Sequence, residues 1–369
     1  MTLNVYYIGP FEFPCGGAAA RRIQGNLNSL KSVGAKVKVI DGQSVTSSSF
    51  YEGTEIISLG ERPFENDSKV RKVYKYFTIG RNTIDYIEQQ TNKPDVIILY
   101  SGYSPYLFKL IPYCKLNQIK LIFDCVEWYA PAKGYGYFKP YYWNIELAMR
   151  FLIPKCDGII CISNYLNRYY LNKTKTLKIP PTLDTLNMPE KTFSSPVRFL
   201  KEPFRLVYTG NPGHKDKLQE IINVVKTFPE FELHIAGVEG VNCINIFYYG
   251  NLSYSEAIKL VSNSHFSVLF RPENIVSKAG FSTKVVESLS CGTPVITNNT
   301  GDLSDIIIDG VNGFIFDGVE QEDLANKLNF ILDGNEFDYQ SMSNEAKETA
   351  SNKFDFRVFS DDLLRFLRE

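Results

Sequence analysis

Residues 279–296, AGFSTKVVESLSCGTPVI, concentrate the residue types that can bind a charged ligand. Ser282 or Thr283 could cap the helix predicted after the turn, and Lys284 lies in its first turn. Glu287 follows on the same helix face. Amides and a cation suit a diphosphate, while carboxylate oxygens accept hydrogen bonds from ribose hydroxyls. The segment therefore predicts a nucleotide site or, alternatively, a capped helix with a Lys284–Glu287 ion pair.

A second loop, GNPGHKDKL at residues 210–218, carries glycines and lysines after an apolar run. A turn over Gly210–Gly213 can present backbone amides to a phosphate, with Lys215 or Lys217 as the cation. We favour Lys215; a solvated loop lysine is the alternative. Arg271 follows another apolar run and is either a further cation for the ligand or part of a structural ion pair.

Polar residues and glycines also follow predicted strands in the N-terminal half. Asp124 ends the apolar run IKLIFD, and Glu127 comes three residues later. Ligands of open α/β sheets bind where strands end, although an N-cap or a structural hydrogen bond would explain either carboxylate as well. Gly16 and Gly17 lie between a predicted strand and a predicted helix. The free amides of such a turn could bind a phosphate; alternatively, the glycines are there only because the turn needs their backbone conformation.

Two α/β series are needed to position these residues. The first predicts buried parallel strands over Leu3–Ile8, Lys36–Ile40 and residues 94–100, 119–124 and 157–163. The second predicts strands over Phe204–Thr209, Phe231–Ala236, Asn245–Tyr249, Phe266–Phe270 and Pro294–Thr297. Because a Pro-rich stretch typical of a linker begins near Ile179, we predict domains over 1–184 and 185–350 with a cleft between them. A final amphipathic helix, within 351–369, could pack on either domain.

Composition excludes several classes of protein. The chain has 369 residues, 40 Lys plus Arg, 41 Asp plus Glu and 44% hydrophobic residues, so it is neither disordered nor a strongly basic nucleic-acid binder. We find no signal-peptide pattern and no apolar run near the roughly 18 residues of a membrane span. The seven cysteines include no CxxC pair, and we expect them to be reduced and buried in a cytoplasmic protein.

Part of this chain resembles a known family signature, and the matching residues are Gly280, Phe281, Glu287 and the run Cys291–Val295. The signature belongs to the C-terminal domain of retaining glycosyltransferases that have the GT-B fold and are of the family 4 kind. GDLSDIIIDGVNGFIF at 301–316 and the N-terminal glycine loop and helix are also similar, so the resemblance spans nearly the whole chain. It implies two Rossmann-like domains whose parallel sheets face across a cleft, and a role of the bacterial surface-glycan type, in polysaccharide biosynthesis.

Two positions depart from that family. Its first glutamate, which helps to place the transferred sugar, falls at Ala279, and Glu273 in the same loop is a candidate replacement. The arginine of its phosphate loop is replaced by Asn211, which leaves Lys215 or Lys217 as the phosphate cation. These departures put the identity of the sugar in doubt.

The resemblance implies transfer of a sugar from a nucleotide-sugar, expected to be a UDP-sugar, to a glycan or lipid-linked acceptor. Asp124 and Glu127 would face the acceptor or the sugar, and the leaving diphosphate could take the acceptor proton. Main-chain groups around Tyr249, Asn251 and Leu252 would read the base, with a core role as the alternative for the tyrosine ring.

No Asp-x-Asp occurs in the sequence, so we expect a metal-independent mechanism and no cofactor. Two alternatives stay open. One is a catalytically silent GT-B subunit that binds nucleotide or glycan. The other is a nucleotide-sugar epimerase of the same fold.

The segment from Trp128 to Lys201 combines eleven basic and four acidic residues with the runs YGYFKPYYW (135–143) and NRYYLNK (167–173). Basic residues with interfacial aromatics suit an anionic leaflet. We therefore predict peripheral contact with the inner membrane face; the alternative is a basic, aromatic cleft for a soluble acceptor.

Overall fold

The computed structural model describes residues 2–15, 17–43, 46–63, 66–100, 103–128, 140–189, 191, 203–213, 215–333 and 338–369. The chain divides into two compact units. Unit 1 comprises residues 1–182 together with residues 356–369 at the C-terminus, and unit 2 comprises residues 183–355. Each unit has its own sheet and its own buried core.

Unit 1 is an eight-stranded sheet in the order β3-β4-β2-β1-β5-β6-β7-β8. Its strands are β1 (Asn4–Ile8), β2 (Lys36–Asp41), β3 (Ser47–Tyr51), β4 (Thr54–Ser58), β5 (Val96–Tyr100), β6 (Lys120–Cys125), β7 (Gly158–Cys161) and β8 (Thr176–Lys178). Its helices are α1 (Gly17–Ser32), α2 (Lys69–Thr78), α3 (Arg81–Glu88), α4 (Ser104–Asn117), α5 (Pro140–Leu147) and α6 (Asn164–Tyr170). All these strand pairs are parallel except the β3–β4 hairpin.

The core of unit 1 lies between this sheet and two helices that are far apart in sequence. Helix α1 presents Ile23, Leu27 and Leu30 to β1 and its neighbours, at the spacing of one helix face. The last helix of the chain, Ser360–Arg368, contributes Leu363 and Leu367 to the same core. The C-terminal segment is therefore part of unit 1.

Unit 2 is a six-stranded parallel sheet in the order β11-β10-β9-β12-β13-β14. The strands are β9 (Phe204–Thr209), β10 (Phe231–Ala236), β11 (Ile246–Tyr248), β12 (Phe266–Leu269), β13 (Val295–Asn298) and β14 (Gly313–Phe316). The helices are α7 (Leu218–Val225), α8 (Tyr254–Ser262), α9 (Ile275–Ala279), α10 (Thr283–Ser290), α11 (Gln321–Asp333) and α12 (Tyr339–Phe354), and Ser360–Arg368 in unit 1 is α13. Strands such as β12 and β13, in which every residue is buried, suit this sheet because it is covered on both faces.

Candidate functional site

Strands β9 and β12 are central neighbours in the unit 2 sheet, and the chain order reverses between them. In open α/β sheets the carboxyl ends of such strands are where ligands bind. The loop that starts at Gly210 follows β9, and Arg271 follows β12. Both predicted loops of the C-terminal half therefore meet at this edge.

Asp216 lies at the centre of the charges at this edge. Its carboxylate accepts hydrogen bonds from the Lys284 ammonium at 2.5 Å and from Arg271 Nε at 2.9 Å. The Tyr208 hydroxyl donates to the same carboxylate at 2.7 Å and accepts from Lys284 at 2.8 Å. We call Asp216, Arg271, Lys284 and Tyr208 the cation cluster. Two cations share one carboxylate, which leaves one positive charge in excess.

The ion pairs control the ionisation of Asp216. Its side chain is only 2% exposed, and burial by itself would raise the pKa of the carboxyl. The adjacent Lys284 and Arg271 cations outweigh burial and lower that pKa below its usual value. Asp216 is therefore ionised at neutral pH, and it fixes both cations near the end of β9.

The turn after β9 brings the backbone close to this cluster. Gly210 has a φ of +88°, and a Cβ there would lie 3.4 Å from the Lys284 side chain. Gly237 has a φ of +91°, and a Cβ on it would lie 2.7 Å from the Cα of Gly210. Only glycine fits both requirements at position 237. The turn therefore holds the main chain of Gly210 beside the Lys284 side chain.

Several residues predicted for this edge have other contacts. Lys217 Nζ donates to the Val319 carbonyl and lies over the Phe270 ring. The Lys215 amide donates to the Pro212 carbonyl at 3.0 Å. Asn211 Oδ1 accepts the Gly213 amide at 2.8 Å, so this side chain stabilises its own turn.

The helix predicted after residue 280 is present and begins where predicted, but Lys284 has a different ion-pair partner. Ser282 is its N-cap residue and Thr283 its first helical residue, but the Ser282 side chain makes no capping bond among the described residues. Lys284 pairs with Asp216, a residue that the sequence analysis did not select. Glu287 is buried on the same helix, 6% exposed.

The segment before α10 contains the predicted donor contacts Gly280 and Phe281 and the candidate replacement Glu273. Ala279 is fully buried at the end of α9, and Gly280 follows as the C-cap residue. Phe281 packs edge-on against Phe354, so its ring belongs to the core rather than to the predicted donor contacts. Glu273 is exposed and pairs with Lys278 at 2.7 Å.

The predicted base-reading residues follow β11, the edge strand of the sheet, which is two strands away from β9. The Tyr249 hydroxyl is 2.8 Å from His234 Nδ1, and the tyrosine is 43% exposed, so the core alternative is wrong for it. The Gly250 carbonyl accepts the Gly237 amide at 2.7 Å, which joins this loop to the turn at Gly210. Asn251 is exposed and Leu252 half-buried.

Unit 1 contains a cavity of about 430 Å³ beside the ends of β1, β5 and β6. These strands flank the point where its strand order reverses. Its lining includes Glu127, Tyr100, Tyr103, Arg62, Tyr141 and Asn144. Glu127 thus lines a cavity, which is a requirement for its predicted role of facing the acceptor or the sugar.

Asp124 also borders this cavity, but its carboxylate has structural partners. Arg22 donates to it at 2.9 Å, and the Tyr7 hydroxyl and the Asn26 amide donate as well. The side chain is fully buried. Arg22 also donates to the Ile179 carbonyl at 2.8 Å. This geometry favours the structural alternative for Asp124 over a catalytic role.

Other sequence predictions have mixed outcomes. Gly17 is the exposed first residue of α1, with a φ of +64°, and Gly16 lies outside the described residues. Cys15 and Cys243 are exposed, so the prediction of buried cysteines is wrong for these two. In the described part of the chain no helix is long and apolar enough to cross a membrane, and no group of three or more His, Cys, Asp or Glu could hold a metal ion.

The aromatic, basic segment from Trp128 to Lys201 is exposed in some places and buried in others. Trp128 and Tyr170 are buried in unit 1, so part of this segment fills the core and is not available to a membrane. Trp143 is 63% exposed. Residues 129–139, with most of YGYFKPYYW, and residues 192–202 lie outside the described residues.

Comparison with known proteins identifies the class to which this arrangement is similar. Residues 190–349 match the family model described as "Glycosyl transferases group 1". The chain is 28% identical over 286 residues to an "Uncharacterized 41.2 kDa protein in cps region" of Klebsiella pneumoniae, covering 71% of this chain and 75% of that protein.

Two solved structures show the same fold. Sucrose-phosphate synthase from Thermosynechococcus elongatus has a TM-score of 0.78 at 14% identity, over 99% of this chain and 98% of that one. HepE from Anabaena, solved in complex with UDP and glucose, has a TM-score of 0.69 at 13% identity over 100% of both chains. The predicted GT-B fold, with two parallel-sheet domains, is thereby confirmed.

Proposed function

We propose that this protein is a glycosyltransferase that uses a nucleotide-sugar, with UDP-sugar as the expected donor. The observation that carries the proposal is the cation cluster, because it lies at the ligand-binding edge of the sheet within the residues that match the glycosyltransferase family. The UDP and glucose of the HepE structure support the same class of donor.

In this proposal the excess positive charge of the cluster partly neutralises the diphosphate of the donor. Lys284 and Arg271 would stabilise the leaving group as its charge develops. Asp216 would hold both cations in place before the donor binds. Glu287 would accept hydrogen bonds from ribose hydroxyls, and Tyr249 with the loop to Leu252 would contact the base.

The finer mechanism is also a proposal. We infer transfer with retention and without a metal ion, because the sequence lacks Asp-x-Asp and its motifs resemble those of retaining enzymes. The departing diphosphate would take the acceptor proton, so the chain contributes mainly position and charge. The acceptor would occupy the unit 1 cavity near Glu127, and a relative from a cps region is consistent with a glycan product.

A panel of nucleotide-sugars with a mixed acceptor pool, read by released nucleotide, tests this function. We expect Lys284→Met and Glu287→Ala to lower turnover by about a hundredfold or more, since each removes a charged donor contact. Lys259→Met, on exposed α8, is the matched control and should leave turnover unchanged. Lys215→Ala shows whether the favoured loop lysine contributes. If turnover is unchanged in all the donor-site variants, the site assignment is wrong.

One observation supports a second candidate function, that of a GT-B subunit without catalytic activity. Ala279 is fully buried where the family has a glutamate, and a GT-B subunit without activity would show such a loss. In that case the protein would bind UDP and consume no donor from a broad panel in the presence of acceptors. Conversion of the donor without any acceptor would instead indicate an epimerase.

A further inference from the structure

The outward face of helix α2, Lys69–Thr78, carries apolar side chains. None of its ten residues, all of which the structure describes, is buried. The apolar positions follow the i, i+3, i+4, i+7 spacing of one helix face and are 56% to 80% exposed: Val70, Val73, Tyr74 and Phe77. A surface helix ordinarily turns such a face toward the core. Helix α2 has the opposite orientation.

Contacts on the other side of α2 fix this orientation. The Tyr76 hydroxyl donates to Asn144 Oδ1 at 2.6 Å, and its ring meets the Tyr103 ring edge-on with centroids 5.9 Å apart. At the end of the helix, Lys109 Nζ donates to the Phe77 carbonyl at 2.7 Å. Asn144 and Tyr103 both line the unit 1 cavity. The helix therefore packs against two residues that line the cavity, while its apolar face is exposed.

The charges of α2 are all positive. The helix contains Lys69, Arg71, Lys72 and Lys75 and no acidic residue. At 100° per residue, Lys69 and Arg71 flank the apolar face on its two sides. Among the described residues, the Asp67 carboxylate just before the helix pairs with Arg71 at 3.2 Å and with Lys75 at 3.0 Å.

We propose that α2 binds the surface of an anionic lipid bilayer. Apolar side chains would enter the headgroup region, while the flanking lysine and arginine contact lipid phosphates, as in interfacial amphipathic helices. Charge argues against a second copy of this chain as the occupant, since pairing of two α2 faces would bring like charges together.

A second exposed stripe lies along α5 and the turn after it, on a different helix face from the residues that line the cavity. Trp143, Leu147 and Phe151 recur every four residues along α5 and the π-helical turn after it, and they are 63%, 37% and 61% exposed. Helix α5 also supplies Tyr141 and Asn144 to the cavity. A bilayer bound to α2 would lie close to this cavity, because Tyr76 of that helix contacts Asn144 and Tyr103 in its lining. If the proposed transferase function holds, on which this step rests, the acceptor is linked to a lipid.

Vesicle flotation with the full-length protein tests the membrane surface. The probes are vesicles of phosphatidylcholine alone and of phosphatidylcholine with phosphatidylglycerol. We expect binding to the anionic vesicles only, reduced by about tenfold or more in V73E/F77E. Removing charge in K69Q/R71Q should reduce it by about fivefold per residue, and high salt should have a similar effect. V241E/I244E is the matched control, because these residues are 87% and 99% exposed on unit 2.

Each outcome decides the proposal. Absence of vesicle binding, or binding that both α2 variants leave intact, would overturn it. So would self-association that V73E/F77E abolishes, because the face would then be an interface between copies. Circular dichroism and UDP binding check that the variants are folded. Vesicle binding by a protein that binds no UDP would refute the proposed function and leave the membrane surface standing.

Discussion

Asp216 has a larger structural role than its place in a loop indicates, because two cations depend on it. Asp216→Asn would leave Arg271 and Lys284, 10% and 16% exposed, without their shared carboxylate. We expect the free energy of unfolding of unit 2 to fall by about 3–5 kcal/mol, as when one partner of a buried ion pair is removed. Urea unfolding at neutral pH measures this change.

Glu273→Gln is the control for that experiment. Glu273 is 61% exposed beside Lys278, so its loss should cost less than about 1 kcal/mol. Equal losses in the two variants would show that the cluster is not a buried, interdependent unit.

His265 predicts a pH dependence of stability. Burial, with the Lys191 and Arg205 cations nearby, lowers its pKa from 6.5 to about 4, and its Nδ1 accepts the Arg205 amide at 2.8 Å. Between these values the unfolded chain binds a proton that folded unit 2 does not. The stabilisation is therefore complete above about pH 6.5 and is lost as the pH falls toward 4.

The expected loss over that range is about 3 kcal/mol. Urea unfolding at about pH 7.5 and about pH 4.5 measures it, with His265→Gln as the comparison because glutamine can accept the same amide and does not titrate. The wild type should lose more stability than the variant. Parallel losses would mean that His265 is not the group that titrates.

At the residue scale the sequence located charged groups well and paired them poorly. Lys284 and Arg271 were both selected as candidate cations, because each lies at an end of a predicted element. Asp216 was not selected, since its partners are 55 and 68 residues away and meet it only when the β9 and β12 loops come together. Spacing along the chain indicates only nearby partners, and it therefore indicates Glu287, three residues away, as the partner of Lys284.

At the element scale, the turn after β9 depends on a glycine in the next loop. Gly237→Ala would place a Cβ 2.7 Å from the Cα of Gly210 at a φ of +91°. The turn must move, and we expect donor turnover to fall by about a hundredfold, as small displacements of a binding loop do. Nucleotide release from the best donor of the panel measures it.

Gly310→Ala separates the steric effect from backbone strain. Gly310 has a φ of +76° but nothing within 4 Å of the added Cβ, so it carries the strain alone. It should lower stability by about 1 kcal/mol and leave turnover unchanged. A similar loss of turnover in both variants would contradict a specific role for the approach of Gly237 to Gly210.

Elements buried on both faces were the ones that sequence pattern predicted. Strands β9 and β10 have the predicted bounds, because short runs rich in apolar residues are typical of buried parallel strands. The β3–β4 hairpin was not predicted, since every residue of β3 is exposed and the strand owes its existence to pairing with β4. Helix α2 likewise has no buried residue that could mark it as part of a core.

For the whole molecule, periodicity predicted two α/β series but could not assign the last helix. The predicted final segment begins at residue 351, whereas Phe354 belongs to a core of unit 2 and Leu363 to the core of unit 1. An amphipathic stripe does not show which surface a helix packs against, because tertiary contacts decide that. The strand orders of the two sheets also follow from long-range pairing, which spacing along the chain does not reveal.

This division predicts that the C-terminal segment stabilises one unit only. Leu363 and Leu367 are fully buried in the core of unit 1, and Ser29 Oγ donates to the Phe356 carbonyl at 2.8 Å. Each leucine-to-alanine change at these positions should cost about 2–5 kcal/mol, and removal of residues 356–369 should cost more. Because unit 2 has separate cores, its stability should not change.

Differential scanning calorimetry can separate the two effects, since UDP should raise the transition of unit 2 by binding to its folded state. L363A/L367A should lower the other transition and leave the UDP-sensitive one in place. Val358→Ala, at a position 48% exposed in the same segment, is the control and should shift neither. If both transitions moved together in L363A/L367A, the units would unfold as one, and the C-terminal helix would stabilise the whole molecule rather than unit 1.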